Sequence, residues 1–292
     1  MVEIVRPRRS VLYMPAINAR ALEKARTLPA DTVIFDLEDA VAPDAKESAR
    51  AQAVEAVRQG GYAPREVIVR VNGLDSDWGA KDLKAMGEVM PDAVLLPKIE
   101  SANQIRTAAN LLPEQLDLWC MIETPLGVLR ASQIAAASGR LRCLVVGTSD
   151  LAKDLNVRPG PGREPLLTSL SLCVLAARAH GLAVLDGVYL DLEDDDGFVA
   201  ACVQGRDLGF DGKTLIHPRQ LAASNRIFAP SYEEVEEAQV IVDAFARAEA
   251  EGRGVVVVNG QLVEQLHVVQ AQRLLALADA IEQREAGVKG EP

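Results

Sequence analysis

Eight polar side chains stand at the exits of short apolar runs. They are Asp36 and Glu38 after the run 32–35, Arg70 in VIVRVNG, Lys98 in LLPKIES, Glu123 in MIETP, Asp150 in VVGTSDLAKD, Asp186 in VLD and His217 in LIHP. A polar group leaving a buried strand belongs to a loop, a helix cap or a working site. Glu123 and Asp150 follow consecutive apolar runs, and carboxylates on neighbouring strands, about 5 Å apart, repel unless a cation lies between them. Oxygen-only ligation by few protein groups, with room for water and a ligand, suits Mg2+, with Mn2+ as a substitute. The spacing leaves a plainer reading open: Glu123 caps a helix beginning near Pro125, and Asp150 caps the next segment.

Arg70 lies in an alternating run with Val67, Val69 and Val71, where a core-facing guanidinium needs an anionic partner. That partner is Asp36 or Glu38 in a buried ion pair, or else the carboxylate or developing oxyanion of a ligand. The two are compatible. Asp36 and Glu38, two residues apart, share one face of the strand end, while Asp39 points elsewhere, toward the helix before Pro43. The tetrapeptide DLED recurs at residues 191–194 without a comparable apolar strand before it, so there it reads as helix N-capping.

Positioning these residues requires a regular scaffold. Strand-like runs at 10–14, 32–37, 67–71, 93–97, 118–122, 143–146, 183–185 and 213–216 alternate with helical periodicity, as at 19–28, 45–57, 102–112, 128–137, 166–179 and 197–208. Eight such repeats in about 220 residues predict a closed (β/α)8 TIM barrel rather than an open doubly wound sheet, with its working face at the carboxyl ends of the strands. Residues 1–229 form this catalytic domain. Residues 230–292 form an appendage of helices and a β-hairpin: a helix capped by Ser231, a short strand, a turn at Asn259-Gly260 and a final helix that frays from Arg284. The Pro- and Gly-rich segment 155–164 reads as a lid or a surface loop, His180 as a helix cap, and His217 as a structural histidine.

The chain has 292 residues, 49% hydrophobic and 25% charged, enough to bury a large core. A net charge of −11 argues against nucleic acid or an anionic membrane as partner, and no apolar run spans a bilayer. The start shows no export signal, and Cys120, Cys143, Cys173 and Cys202 are scattered singly in apolar segments. Both features fit free thiols in the cytoplasm.

With FDLEDAV, VRVNG, LLPKIES, MIETP, GTSDLAKDL, FDGKTLIHPRQ and GRGVVVVNGQLVE in order along the chain, the sequence resembles the citrate lyase β-subunit-like family, which includes malyl-CoA and citramalyl-CoA lyases. The resemblance implies a Mg2+-dependent barrel, trimeric or hexameric, that cleaves or forms a carbon–carbon bond in a 3-hydroxyacyl-CoA. A 2-oxo acid and an acyl-CoA would be its small-molecule products, and the appendage would pack on a neighbouring subunit. It matches Glu123 and Asp150 to the metal ligands, Arg70 to the arginine that binds the 2-oxo acid, and Asp36 and Glu38 to the acidic pair around it. Lys98, on the same face, is a further expected substrate contact. Tyr13, Asn18, Arg20 and Lys24 fall in the region that meets coenzyme A. At the position of the family's C-terminal catalytic aspartate this chain has Glu264, with His267 nearby to assist. A thioesterase on the same scaffold, a metal-dependent aldolase of free pyruvate-type substrates and a non-catalytic scaffold subunit are the rival readings.

Overall fold

The computed structural model describes residues 6–158 and 160–289. All eight expected strands form: β1 (Ser10–Pro15), β2 (Thr32–Asp36), β3 (Glu66–Arg70), β4 (Ala93–Leu96), β5 (Asp117–Ile122), β6 (Leu141–Val146), β7 (Ala183–Asp186) and β8 (Gly212–Leu215). They pair in parallel, in chain order, and β8 closes onto β1. The fold is a (β/α)8 barrel. Alternation along each strand sends Val11, Ile34, Ile68, Leu95, Trp119, Val145 and Leu185 into the barrel interior, while the residues between them face the helices. At the amino end, the Arg8 guanidinium lies 4.8 Å over the Trp119 ring and is held by Glu66 at 2.8 Å, which plugs that end.

The helices outside are α1 (Ala19–Ala25), α2 (Lys46–Gln59), α3 (Gly79–Val89), α4 (Ala102–Leu111), α5 (Pro125–Leu129), α6 (Ala131–Ala135), α7 (Thr148–Asp154), α8 (Leu167–Ala179), α9 (Asp195–Leu208) and α10 (Leu221–Ile227). The helix expected over 128–137 is two short ones meeting at Arg130. Asp194 caps α9 by accepting from the Gly197 N–H at 2.9 Å, as the second DLED suggested. His217 accepts from the Arg219 N–H at 3.2 Å through Nδ1 and caps the turn after β8. His180 ends α8, with its ring 3.3 Å from Ser132.

Asp186 is a correction. It follows the inward-facing Leu185 and so points out of the barrel, into a fully buried cluster with Lys213 at 2.8 Å and Arg163 at 2.8 Å. Helix α9 lies close against it: a β-carbon on Gly205 would stand 2.9 Å from Asp186 Oδ2. Arg163 also donates to Gln204 Oε1 at 2.8 Å, and Gln204 returns a bond to the Gly162 carbonyl at 2.6 Å. The segment 155–164 is therefore strapped down at its C-terminal end, and residue 159 within it lies outside the described residues.

Arg8–Phe228 forms one compact unit, and the chain from Ala229 belongs to another. In the second unit α11 (Tyr232–Ala250) starts with a capping box between Ser231 and Glu234, and β9 (Val256–Val258) pairs antiparallel with β10 (Gln261–Val263). Asn259 and Gly260, both at positive φ (50° and 79°), make the two-residue turn. The last helix, α12 (Gln265–Lys289), continues through Arg284 rather than fraying there; residues 290–292 and the first five residues lie outside those described. Phe245, Val263 and Val268 form this unit's core. All four cysteines are buried and free. Among the described residues no helix is long and apolar enough to cross a membrane.

Candidate active site

At the carboxyl end of the barrel a cavity of about 410 Å³ is lined by Tyr13, Asp36, Arg70, Glu123, Thr148 and Asp150, with Val188, Leu190 and Ile216 on an apolar side. The strand register brings these residues together. Asp36 on β2 is the cross-strand partner of Arg70 on β3, both two residues beyond inward-facing neighbours. Arg70 closes a two-toothed pair on Asp36, Nε to Oδ1 at 2.7 Å and Nη2 to Oδ2 at 2.6 Å. Asp36 in turn accepts from the Glu38 and Ala40 N–H groups at 2.9 and 3.1 Å, so the loop after β2 fixes its carboxylate.

Glu38 Oε2 lies 3.0 Å from Arg70 Nη1, as the spacing suggested. Asp39 does not point away. Its Oδ2 accepts from Arg70 Nη1 at 3.1 Å, because the chain turns sharply after β2 and both neighbouring carboxylates reach the same cation. Tyr13 is not at the rim where coenzyme A was expected: its ring lies inside, 4.8 Å from the Arg70 guanidinium carbon, and its hydroxyl faces Met121 Sδ at 3.7 Å. Burial holds the Tyr13 phenol above its ordinary range, hence protonated. Of the guanidinium's five N–H bonds, one on Nη2 stays available to a ligand, since among the described residues that nitrogen donates only to Asp36.

Glu123 is 2% exposed, and it does not cap α5; Thr124 does, accepting from the Gly127 N–H at 3.1 Å. Glu123 Oε1 instead accepts from the Lys98 peptide N–H at 2.7 Å. Its other oxygen packs against Gly147, where a β-carbon would lie 2.5 Å from Oε2. Burial pushes the Glu123 carboxyl up to about 7; the Lys98 N–H opposes this, and the negative charges of Glu38 and Asp150 add to it. Asp150 lies in the first turn of α7 and makes no capping bond. Lys98 pairs through its ammonium with Glu38 Oε1.

Two side chains escaped the sequence reading. Lys46, 6% exposed, donates to the carbonyls of Leu37 at 2.8 Å and Glu38 at 2.6 Å and ties down the loop that carries the acidic residues. A lysine at a helix start opposes the macrodipole, and that mismatch was the available signal. Asp82, fully buried, holds Asn72 through its backbone at 3.0 Å and its amide at 2.6 Å, fixing the loop after Arg70.

The donor set suits a divalent ion. Asp36, Glu38, Asp39, Glu123 and Asp150 are five carboxylates, and Arg70, Lys98 and Lys46 are three cations, so with every carboxylate ionised the cluster is short of two positive charges, and the raised carboxyl of buried Glu123 reflects that shortage. Among the described residues no three His, Cys, Asp or Glu side chains converge as a metal cage. A cation here would have two carboxylates from the protein, a donor set that suits Mg2+. Asn18 caps α1 at 3.1 Å, and with Arg20 and Lys24 it is solvent-exposed. Glu264 lies in the other unit, exposed at the start of α12, and its N–H bonds His267 Nδ1 at 3.0 Å.

Fold and cavity together define a barrel enzyme with an arginine and two carboxylates at its carboxyl-end mouth. The sequence pattern of the HpcH/HpaI aldolase/citrate lyase family matches residues 9–218, and the chain belongs to that family. A (3S)-malyl-CoA thioesterase of Cereibacter sphaeroides is 50% identical over 281 residues, 96% of this chain and 98% of that one. The citrate lyase subunit beta of Escherichia coli is 37% identical over 284 residues, 94% of each chain. The crystal structure of CitE from Mycobacterium tuberculosis with magnesium, acetoacetate and coenzyme A aligns with a TM-score of 0.75 at 32% identity, over 94% of this chain and 98% of that one.

Proposed function

We propose that this enzyme takes a malyl-type 3-hydroxyacyl-CoA and hydrolyses its thioester, releasing CoA and the hydroxy diacid. The observation that carries this reading is the 50% identity to (3S)-malyl-CoA thioesterase along 98% of that relative. A second observation supports it. By the resemblance, Glu264 stands where the family has an aspartate that protonates a carbon, a step that hydrolysis does not need.

Glu123 and Asp150 would hold Mg2+, which when bound polarises the substrate oxygens it touches. Arg70, locked by Asp36 and stacked on Tyr13, offers its remaining Nη2 N–H and its charge to the carboxylate or to the oxygen that gains charge. Lys46 and Asp82 hold the two loops beside it. Arg20 and Lys24, exposed on α1, would meet the phosphates of CoA, with Asn18 capping that helix. Tyr13 serves the acyl end. We further place the C-terminal unit, residues 230–292, on a neighbouring subunit in a trimer or hexamer.

Carbon–carbon cleavage is the second reading, favoured by the arginine among carboxylates that would stabilise an alkoxide. The hydroxyl proton would pass to a carboxylate of the site, the bond between the carbinol carbon and the acyl-CoA carbon would break, and the resulting 2-oxo acid would leave an enolate that Glu264 protonates. Incubation with (3S)-malyl-CoA and Mg2+ tests both. Free CoA with malate supports hydrolysis, whereas acetyl-CoA with glyoxylate sinks it in favour of cleavage.

A further inference from the structure

Lys98 has a backbone that needs explaining. Its φ is +50°, in the left-handed region that lysine avoids. Other non-glycine residues of this kind have evident local reasons: Met90 ends α3, and Asn259 turns a hairpin. Lys98 does neither, since it lies between β4 and the Ser101 cap of α4. What the twist achieves is an aim. It sends the peptide N–H to Glu123 Oε1 at 2.7 Å while the next residue, Ile99, keeps the strand-like bond to the Met121 carbonyl at 3.2 Å.

The side chain works in the other direction. The Lys98 ammonium holds Glu38 Oε1 and lies 4.0 Å from Asp39 Oδ1, while Glu38 Oε2 stays on Arg70 Nη1 at 3.0 Å. Glu38 is thus stretched between two cations. Without the ammonium, Glu38 Oε1 would lose its ion-pair partner beside the negative Asp39 and Glu123, leaving Arg70 to hold Glu38 through Oε2. Lys98 itself does not line the cavity, and its side chain is 49% exposed.

We propose that Lys98 is a two-ended positioning residue rather than a substrate contact: its peptide N–H sets the orientation of Glu123, and its ammonium keeps Glu38 braced against Arg70. The backbone end stands on geometry alone, and the catalytic consequence of the ammonium rests on the function proposed above.

The experiment compares Lys98→Gly, Lys98→Ala and Lys98→Arg in the full chain. All three keep the N–H. Glycine adopts the left-handed backbone without strain, so Lys98→Gly melts a few degrees above Lys98→Ala; equal melting temperatures overturn the backbone half. Magnesium affinity by calorimetry stays at the unsubstituted value in all three, because Glu123 keeps its donor; loss of binding in Lys98→Gly overturns the assignment of that role to the peptide. Turnover in the alanine and glycine variants falls roughly 10- to 100-fold, the scale of about an ångström of misplacement, with KM little changed and recovery in Lys98→Arg. Unchanged turnover overturns the ammonium half. Should the unsubstituted protein leave malyl-CoA intact, the proposed function fails by itself. A thermal double-mutant cycle of Lys98→Ala with Glu38→Gln then decides: non-additive losses support the brace, and additive losses overturn it.

Discussion

Asp36 and Arg70 are register partners on adjacent parallel strands, and the same two residues form a bidentate ion pair at 2.7 and 2.6 Å. The backbone ladder thus sets the side-chain geometry. Both carboxylate oxygens are committed, so the fork cannot slide, and the guanidinium faces the cavity with its remaining donor in a fixed place.

Replacing Arg70 by lysine keeps one positive charge and loses the fork. Turnover should fall by about 10²- to 10³-fold, as for removal of one preorganised charge-stabilising donor, with the circular dichroism spectrum intact. Steady-state kinetics on the unsubstituted protein and Arg70→Lys measure this. Equal rates would remove Arg70 from the chemistry.

Gly147 is the cheapest way to disturb Glu123 without touching its charge. Its φ of −90° is open to alanine, but a methyl group there would stand 2.5 Å from both Glu123 Cβ and Glu123 Oε2, so the whole Glu123 side chain must shift. Gly147→Ala should weaken magnesium binding at least tenfold, about 1.4 kcal/mol. At the same concentration Mg2+ should raise the melting temperature of the unsubstituted protein more than that of the variant. Identical calorimetric titrations would separate Glu123 from the metal.

Acid should unfold the barrel through Asp186. Burial pushes its carboxyl up, but the Lys213 and Arg163 charges outweigh that and hold it below the ordinary carboxylate range. A depressed native pKa contributes stability above the unfolded value, about 3.9, and that contribution is lost as pH falls through the native one. Asp186→Asn should therefore cost about 3–5 kcal/mol near neutrality, by leaving two buried cations without their partner. Its stability should then vary less than the unsubstituted protein's from about pH 5 downward. Parallel melting curves across that range would contradict the assignment.

Glu264→Gln separates the two reaction readings. A hydrolase should keep most of its CoA release in this variant, whereas a lyase should lose acyl-CoA formation while still binding the oxo acid. Product chromatography reads the difference.

Strand periodicity and strand-end polarity were enough to anticipate the barrel, because a fully buried parallel strand must be apolar until it leaves the sheet. That Asp36, Glu38, Arg70, Glu123 and Asp150 meet at one end of the barrel was legible for that reason. Asp39 was not, because a turn after β2 overrides simple alternation. Asp186 was misread because a strand ending one residue later reverses inside and outside. Lys46 and Asp82 act through distant carbonyls and amides, contacts that local spacing does not encode. The left-handed twist at Lys98 left no trace in composition, since lysine is not a residue that announces it.

With the barrel interior filled by side chains and Arg8 stacked on Trp119 at the amino end, the cavity is a cup open at the carboxyl end. Traffic to that cavity would use this one mouth among the described residues. What leaves must pass where the next molecule arrives, so departure and arrival take turns, and a spent fragment lingering at the lip delays the following cycle.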